Sequence, residues 1–385
     1  MHILILPSWY PAYPEDIRGC FFRDQALALV KAGNHVGVVT NEFRSLKNWK
    51  TIFSNKHGFF YENDNGINTI RFKTMLWFHK MPFLINIFST MYGKQAVEKY
   101  IEKYGKPDIV HVHSCLYMGE IARYIKTKYQ INYIVTEHSS GFVRDLYSPY
   151  QLEVAERILY NSSCNIAVST QMAKFFQNKF EIKKKWEVVP NIVNPIFFEN
   201  SIEKENFFNK KFKFINVAFM NKNKKQINIV KAYHELIKQG FLNIELNLIG
   251  DGEEKIELEN YVKDNKILNV NFLGLRDRHF IADAMSKSDC FILSSDFETF
   301  GVVIIESLAS GLPVISTKCG GPEDILDKEN GLLVEKDNIE ELAEAMLVML
   351  NTNYDKNKIR MNCYEHYSQE AITMKLSQIY QKFVV

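Results

Sequence analysis

Two carboxylates with seven residues between them, Glu298 and Glu306, stand out in the stretch DCFILSSDFETFGVVIIESLASGLPVISTKCGGPE, residues 289–323. An ionised carboxylate only accepts hydrogen bonds, which suits it to binding hydroxyl groups. Taken singly, Glu298 favours a helix dipole and Glu306 faces solvent. Taken together they must be positioned by the elements around them. Cys290 to Leu293 is an apolar, strand-like run that turns through Ser294-Ser295-Asp296. A helix is predicted from about Phe300 to Ser310, stopped by Gly311 with Pro313 beyond it. A second strand, Pro313 to Ser316, runs into the pair Gly320-Gly321. Strand, helix and strand at this spacing form a βαβ unit on a parallel sheet, whose ligands sit at the carboxyl ends of the strands. Glu306 interrupts a helix that is apolar on nearly every side, so burial is expected to demand a partner for it.

ETFGVVIIE, followed by SLASGLPVIST and GGPE, resembles the nucleotide-sugar site of the retaining glycosyltransferases of family 4. The resemblance implies the GT-B fold: α/β, with two Rossmann-like domains of parallel sheet facing each other across a cleft, and a last helix that crosses back to the first domain. It also implies a nucleotide-sugar donor, UDP- or GDP-linked, and no other cofactor. Glu306 would then accept from the ribose hydroxyls, and Glu298 would contact the donor sugar. Backbone amides at Gly320, Gly321 and the helix start Thr299, Phe300 and Gly301 would add oriented dipoles for the phosphates. The Asp-x-Asp metal motif of the other main glycosyltransferase fold is absent, and no metal is expected.

Other stretches of the chain carry the same resemblance. FKFINVAFMNKNKK (212–225) is similar to its second-domain opening, where a Gly-Arg-Leu and a later lysine neutralise the pyrophosphate. Here Ala218-Phe219-Met220 stand in place of Gly-Arg-Leu, Lys224 matches the lysine, and Lys222 or Lys225 is left to replace the arginine. The family's first loop is Gly-rich; PSWYPAYPEDIRG keeps only Gly19, flanked by Arg18 and Arg23. PDIVHVHSC (107–115) and INYIVTEHSSG (131–141) are apolar strands ending in histidine. His113 and His138 are thus candidates for the acceptor side, His138 with the nearer resemblance, and Glu137 could act on the acceptor. Catalytic roles are assigned to His138, Glu298 and Lys224. Leu275 and Arg276, after the strand ending FLG, are candidate contacts to the base.

Domains are expected at 1–200 and 212–368, joined by a lysine-rich linker at 201–211, with a helix from about 369 to 385 returning to the first. Over 385 residues the formal charge is +2, yet 1–194 carry 24 basic and 16 acidic residues and 195–385 carry 23 and 29. A basic first half points to an anionic partner. RFKTMLWFHKMPFLINIFSTMY (71–92) either packs as core helices around Pro82 or presses Trp77, Phe78, Met81 and Phe83 onto a bilayer. In the second case Arg71, Lys73 and Lys80 would meet headgroups. Six scattered cysteines without metal spacing fit a reducing cytosol. No run reaches transmembrane length. The reading is a transferase acting on a glycan or lipid-linked acceptor in cell-surface polysaccharide synthesis, cytoplasmic or at the inner face of the plasma membrane. It involves no nucleic acid. An epimerase or phosphorylase on the same fold, or a non-catalytic nucleotide-sugar binder, are the alternatives.

Overall fold

Continuous apolar runs dictate buried parallel strands, because both faces of such a sheet are covered by helices. HILILP at the N-terminus is buried over five of its six positions, and CFIL and VIST over all four of theirs. The computed structural model describes residues 1–12, 16, 19–45, 57–76, 81–200 and 211–384. These fall into two compact units, Met1–Ile192 with Ile372–Val385, and Val193–Ala371.

The first unit is built on strands β1 (His2–Pro7), β2 (His35–Ser45), β3 (Gly58–Asp64), β4 (Ile67–Leu76), β5 (Ile109–His113), β6 (Tyr133–Glu137), β7 (Cys164–Ala167) and β8 (Glu187–Val188). Their order is β3-β4-β2-β1-β5-β6-β7-β8. Every pairing is parallel except the β3–β4 hairpin. The second unit carries β9 (Phe212–Val217), β10 (Ile244–Ile249), β11 (Val270–Gly274), β12 (Cys290–Leu293), β13 (Val314–Thr317) and β14 (Gly331–Val334), all parallel, in the order β11-β10-β9-β12-β13-β14. In each sheet the chain winds outward from a central strand and then returns to its other side. The switch points lie between β1 and β5, and between β9 and β12. Both units are therefore Rossmann-like α/β layers with one topological crevice each.

Several expectations change here. The first unit closes at Ile192, not at 200. Residues 193–200 go with the second unit because the short helix Ile196–Glu199 packs there: Phe198 stands edge-on to Tyr364, and the Val193 amide donates to the Tyr367 carbonyl at 2.9 Å. The expected linker lies outside the described residues but for Lys211. The last helix, Gln369–Gln381, joins the first unit from Ile372 onward, where Ile372, Leu376, Ile379 and Tyr380 enter the same core as Ile3, Ile5, Val36 and Ile109. A helix at Lys356–Tyr367 had no sequence signal strong enough to read.

Neither reading of residues 71–92 survives whole. Residues 71–76 end β4, and Arg71 is only 3% exposed, facing Glu42 and Glu62 rather than solvent. Lys73 shares those two carboxylates. The sheet, not a bilayer, claims both cations. Trp77, Phe78 and Lys80 lie outside the described residues. The helix Pro82–Tyr104 does leave Phe83, Ile87 and Met91 exposed at a spacing of four, with Met81 before them. Among the described residues no helix is long and apolar enough to cross a membrane. The described cysteines are all free thiols, five of them buried.

Candidate active site

In the second unit, β9 and β12 are neighbours, so the loops that leave their carboxyl ends meet at the switch point. Lys224 comes from the first loop and Glu298 from the second. Their side chains pair at 2.5 Å, Nζ to Oε1, both largely shielded from solvent. Ser295 donates to the same Oε1 at 2.7 Å. The loops are tied by backbone as well: the Asp296 amide donates to the Asn223 carbonyl, and Asn223 Nδ2 to the Phe297 carbonyl. The Ser294 hydroxyl bonds the Lys224 and Lys225 carbonyls, each at 2.8 Å. A charge-assisted pair held by this many bonds is a fixed point in the crevice.

The loop after β13 is stitched to Glu298 by main chain. The Glu298 amide donates to the Cys319 carbonyl at 2.8 Å, and the Gly321 amide to the Glu298 carbonyl at 2.9 Å. Only glycine fits there. A Cβ on Gly321 would lie 2.2 Å from Phe300 Cα, and one on Gly320, whose φ is +120°, would lie 2.5 Å from the Glu298 carbonyl oxygen. The Gly320 amide is taken by the Glu323 carboxylate at 2.9 Å. Both glycine amides are thus spent inside the loop, so they hold its shape rather than present dipoles to a phosphate, contrary to expectation. The helix start is different. Val302–Ala309 begins with Gly301 at its N-cap and has no side-chain cap bond, and Thr299 and Phe300 lead into it.

Glu306 sits one turn further on. The helix is buried at Ile304, Ile305, Ser307, Leu308 and Ala309, while Val302, Val303 and Glu306 share a half-exposed stripe. Glu306 is therefore not enclosed by apolar neighbours. The apolar composition hid a face, because valine occupies two of its three positions. Of the lysines offered as a second cation, Lys225 is engaged with Asp337 at 3.1 Å and Asp296 at 3.6 Å, and Lys222 is exposed. Phe219, at the missing arginine's position, is 53% exposed. Leu275 is exposed too, and Arg276 lies over the Phe280 ring.

In the first unit, Gly19 caps the helix Cys20–Lys31 and abuts Trp9; Trp9 packs on Phe22, and Phe22 stands edge-on to His138 at 4.9 Å between ring centroids. His138 is 7% exposed and shares a 3.1 Å hydrogen bond with His113, Nε2 to Nδ1. Burial, and then the His113 ring, hold its pKa well below the usual imidazole range, with Asn191 pulling weakly the other way. Burial takes His113 down to about 3. Both rings are neutral at ordinary pH. Glu137 is fully buried and accepts backbone amides from Cys115, His138 and Ser139 at 2.8–2.9 Å. It organises the strand-end loops. Arg23 pairs with Asp64, and Arg18 lies outside the described residues.

Sequence reading missed Ser295, Asn223 and Thr317, whose hydroxyl holds the Ser295 carbonyl at 2.6 Å. Their only signal was being short and polar at a strand's carboxyl end. Among the described residues no cluster of His, Cys, Asp and Glu has metal-binding geometry.

Residues 197–366 match the family model of glycosyl transferases group 1, and residues 21–196 match that of glycosyltransferase family 4. The chain belongs to this glycosyltransferase family. A probable sucrose-phosphate synthase of Thermosipho melanesiensis is 28% identical over 87% of this chain and 83% of its own length. The lipopolysaccharide core biosynthesis glycosyltransferase LpsE of Rhizobium meliloti is 35% identical over 37% of this chain and 44% of its own. Among solved structures, Anabaena HepE in complex with UDP superposes with a TM-score of 0.72 at 17% identity, covering 99% of this chain and all of that one. The fold of this glycosyltransferase is accordingly that of the two-domain GT-B enzymes.

Proposed function

We propose that this glycosyltransferase moves a sugar, with retention of configuration and without a metal, from a UDP- or GDP-linked donor to a glycan or lipid-linked acceptor of a cell-surface polysaccharide. The observation that carries the reading is the Lys224–Glu298 pair at the β9/β12 switch point, beside the uncapped start of the helix Val302–Ala309. A nucleotide-sugar needs its leaving pyrophosphate neutralised, and a lysine with a helix N-terminus does this without a metal. Glu298 holds Lys224 ready; the pyrophosphate then competes for the ammonium and frees Glu298 for the donor's hydroxyls. Glu306, on the half-exposed stripe, takes the ribose. His138, kept neutral, is a hydrogen-bonding group for the sugar rather than an acid. The UDP in HepE and the role named for LpsE support the donor and the product class. The exposed Met81, Phe83, Ile87 and Met91, in the basic half of the chain, support contact with the inner face of the plasma membrane.

A thermal-shift screen against UDP-, GDP- and ADP-sugars and the bare nucleotides tests the donor, because a ligand of the folded state must raise the melting temperature. One donor should shift the protein selectively, and Glu306→Ala should lose that shift. Lys224→Ala should lower turnover about a hundredfold, the scale of losing one transition-state donor. A screen with no shift, or full activity in Lys224→Ala, would sink the assignment.

A further inference from the structure

A small pocket lies wholly within the first unit, where Tyr10, Pro11 and Ala12 meet the β3–β4 hairpin. Its volume is about 290 Å³, at the small end for ligand sites and too small for a nucleotide. Two arginines and two carboxylates line it. Arg23 grips Asp64 through two bonds, at 2.5 and 2.7 Å. Arg71 donates to the Pro11 carbonyl at 2.7 Å and only loosely to Glu62 at 3.4 Å, and its guanidinium lies over the Tyr10 ring. Thr69 is 1% exposed, yet its hydroxyl has no hydrogen-bond partner among the described residues, and neither does the buried Tyr10 hydroxyl. A buried hydroxyl left unbonded costs stability, and such groups mark places where a partner is missing.

The lining pairs each cation with an anion, so it offers no surplus charge to an anionic ligand. It holds donors and acceptors side by side, two unbonded hydroxyls, and a tyrosine ring with Arg71 over one face. That combination suits vicinal hydroxyls, each of which donates and accepts, on a ring with an apolar side. We propose that this pocket binds one neutral sugar residue of the acceptor glycan, with Tyr10 and Thr69 as specificity-determining contacts. Its assignment to the acceptor rests on the transferase reading; the saccharide binding does not.

The test uses the full chain without nucleotide, titrated with the methyl glycosides of glucose, galactose, mannose and N-acetylglucosamine. Glucose 6-phosphate and glucuronate serve as anionic counterparts, and binding is followed by saturation-transfer NMR. One neutral glycoside should bind, and the double variant Tyr10→Phe/Thr69→Val should weaken it about tenfold, the effect of two lost hydrogen bonds. The same variant should melt no lower than the parent, since the hydroxyls removed have no partner among the described residues. It should also keep its nucleotide-sugar shift. Absence of binding by every neutral glycoside, preference for the anionic probes, or equal affinity in the double variant would each overturn the proposal. Glycoside binding in a protein that no nucleotide-sugar shifts would leave the pocket standing and remove the transferase reading instead.

Discussion

At the scale of single residues, burial decides what a polar group can do. Glu137 and Glu298 are both carboxylates at strand ends, but Glu137 spends its oxygens on three backbone amides while Glu298 holds one cation and one hydroxyl. The first is bound into the main-chain scaffold, whereas the carboxylate of the second is held through side chains. The histidines show the same logic through their protonation. His111, His113 and His138 are buried, and burial, the leading cause for each, depresses all three pKa values. The unfolded chain binds protons below about 6.5, whereas the folded chain resists them, so the unfolded state carries more protons there. Stability is therefore full above pH 6.5 and falls as pH drops toward the folded values. The slope is at most about 1.4 kcal/mol per pH unit for each histidine. Urea midpoints at pH 7.5 and pH 5.5 should show a clear loss at the lower value; equal midpoints would mean that these rings protonate within the fold.

At the scale of elements, the site is a meeting of three loops leaving β9, β12 and β13, and close main-chain approach fixes their distance. Gly321 is the tightest point, pressed against the Phe300 backbone. Gly321→Ala must push the loop after β13 away from the helix start at Gly301, and Glu298, whose carbonyl the Gly321 amide holds, must move with it. The expected outcome is loss of the donor-induced thermal shift with native far-ultraviolet circular dichroism. A variant that kept the full shift would show that the loop can give way without disturbing Glu298. The exposed stripe of the helix Pro82–Tyr104 belongs to this scale too, since residues four apart lie on one face of a helix. It became visible only when the sheet had claimed Arg71 and Lys73.

At the scale of the molecule, the last helix is part of the first unit's core rather than an appendage. His111 in the middle of the interior strand β5 bonds Tyr380 at 2.8 Å, Nδ1 to Oη, and Ile372, Leu376 and Tyr380 are almost fully enclosed. Deleting residues 372–385 removes four core side chains worth roughly 2 kcal/mol each, a sum comparable to the whole stability of a domain. The truncated chain should lose the cooperative unfolding of its first unit in a denaturant titration; an unchanged transition would show that the helix only rests on the surface. The fold class was legible in the chain because buried parallel strands must be continuously apolar, and HILILP, CFIL and VIST are. A motif singled out Lys224, Glu298, Gly320 and Gly321, and the fold brings these four together. Less could be read where several surfaces compete for one side chain. Arg71 and Lys73 look like headgroup ligands until β2 and β3 supply Glu42 and Glu62, and Glu306 looks enclosed until the valines beside it turn outward. The amides of the glycine pair look open until Glu298 and Glu323 take them. Composition and spacing settle which elements form, since those depend on neighbours along the chain. Which charges are spent and which stay available depends on partners brought from distant positions, and only the folded chain decides that.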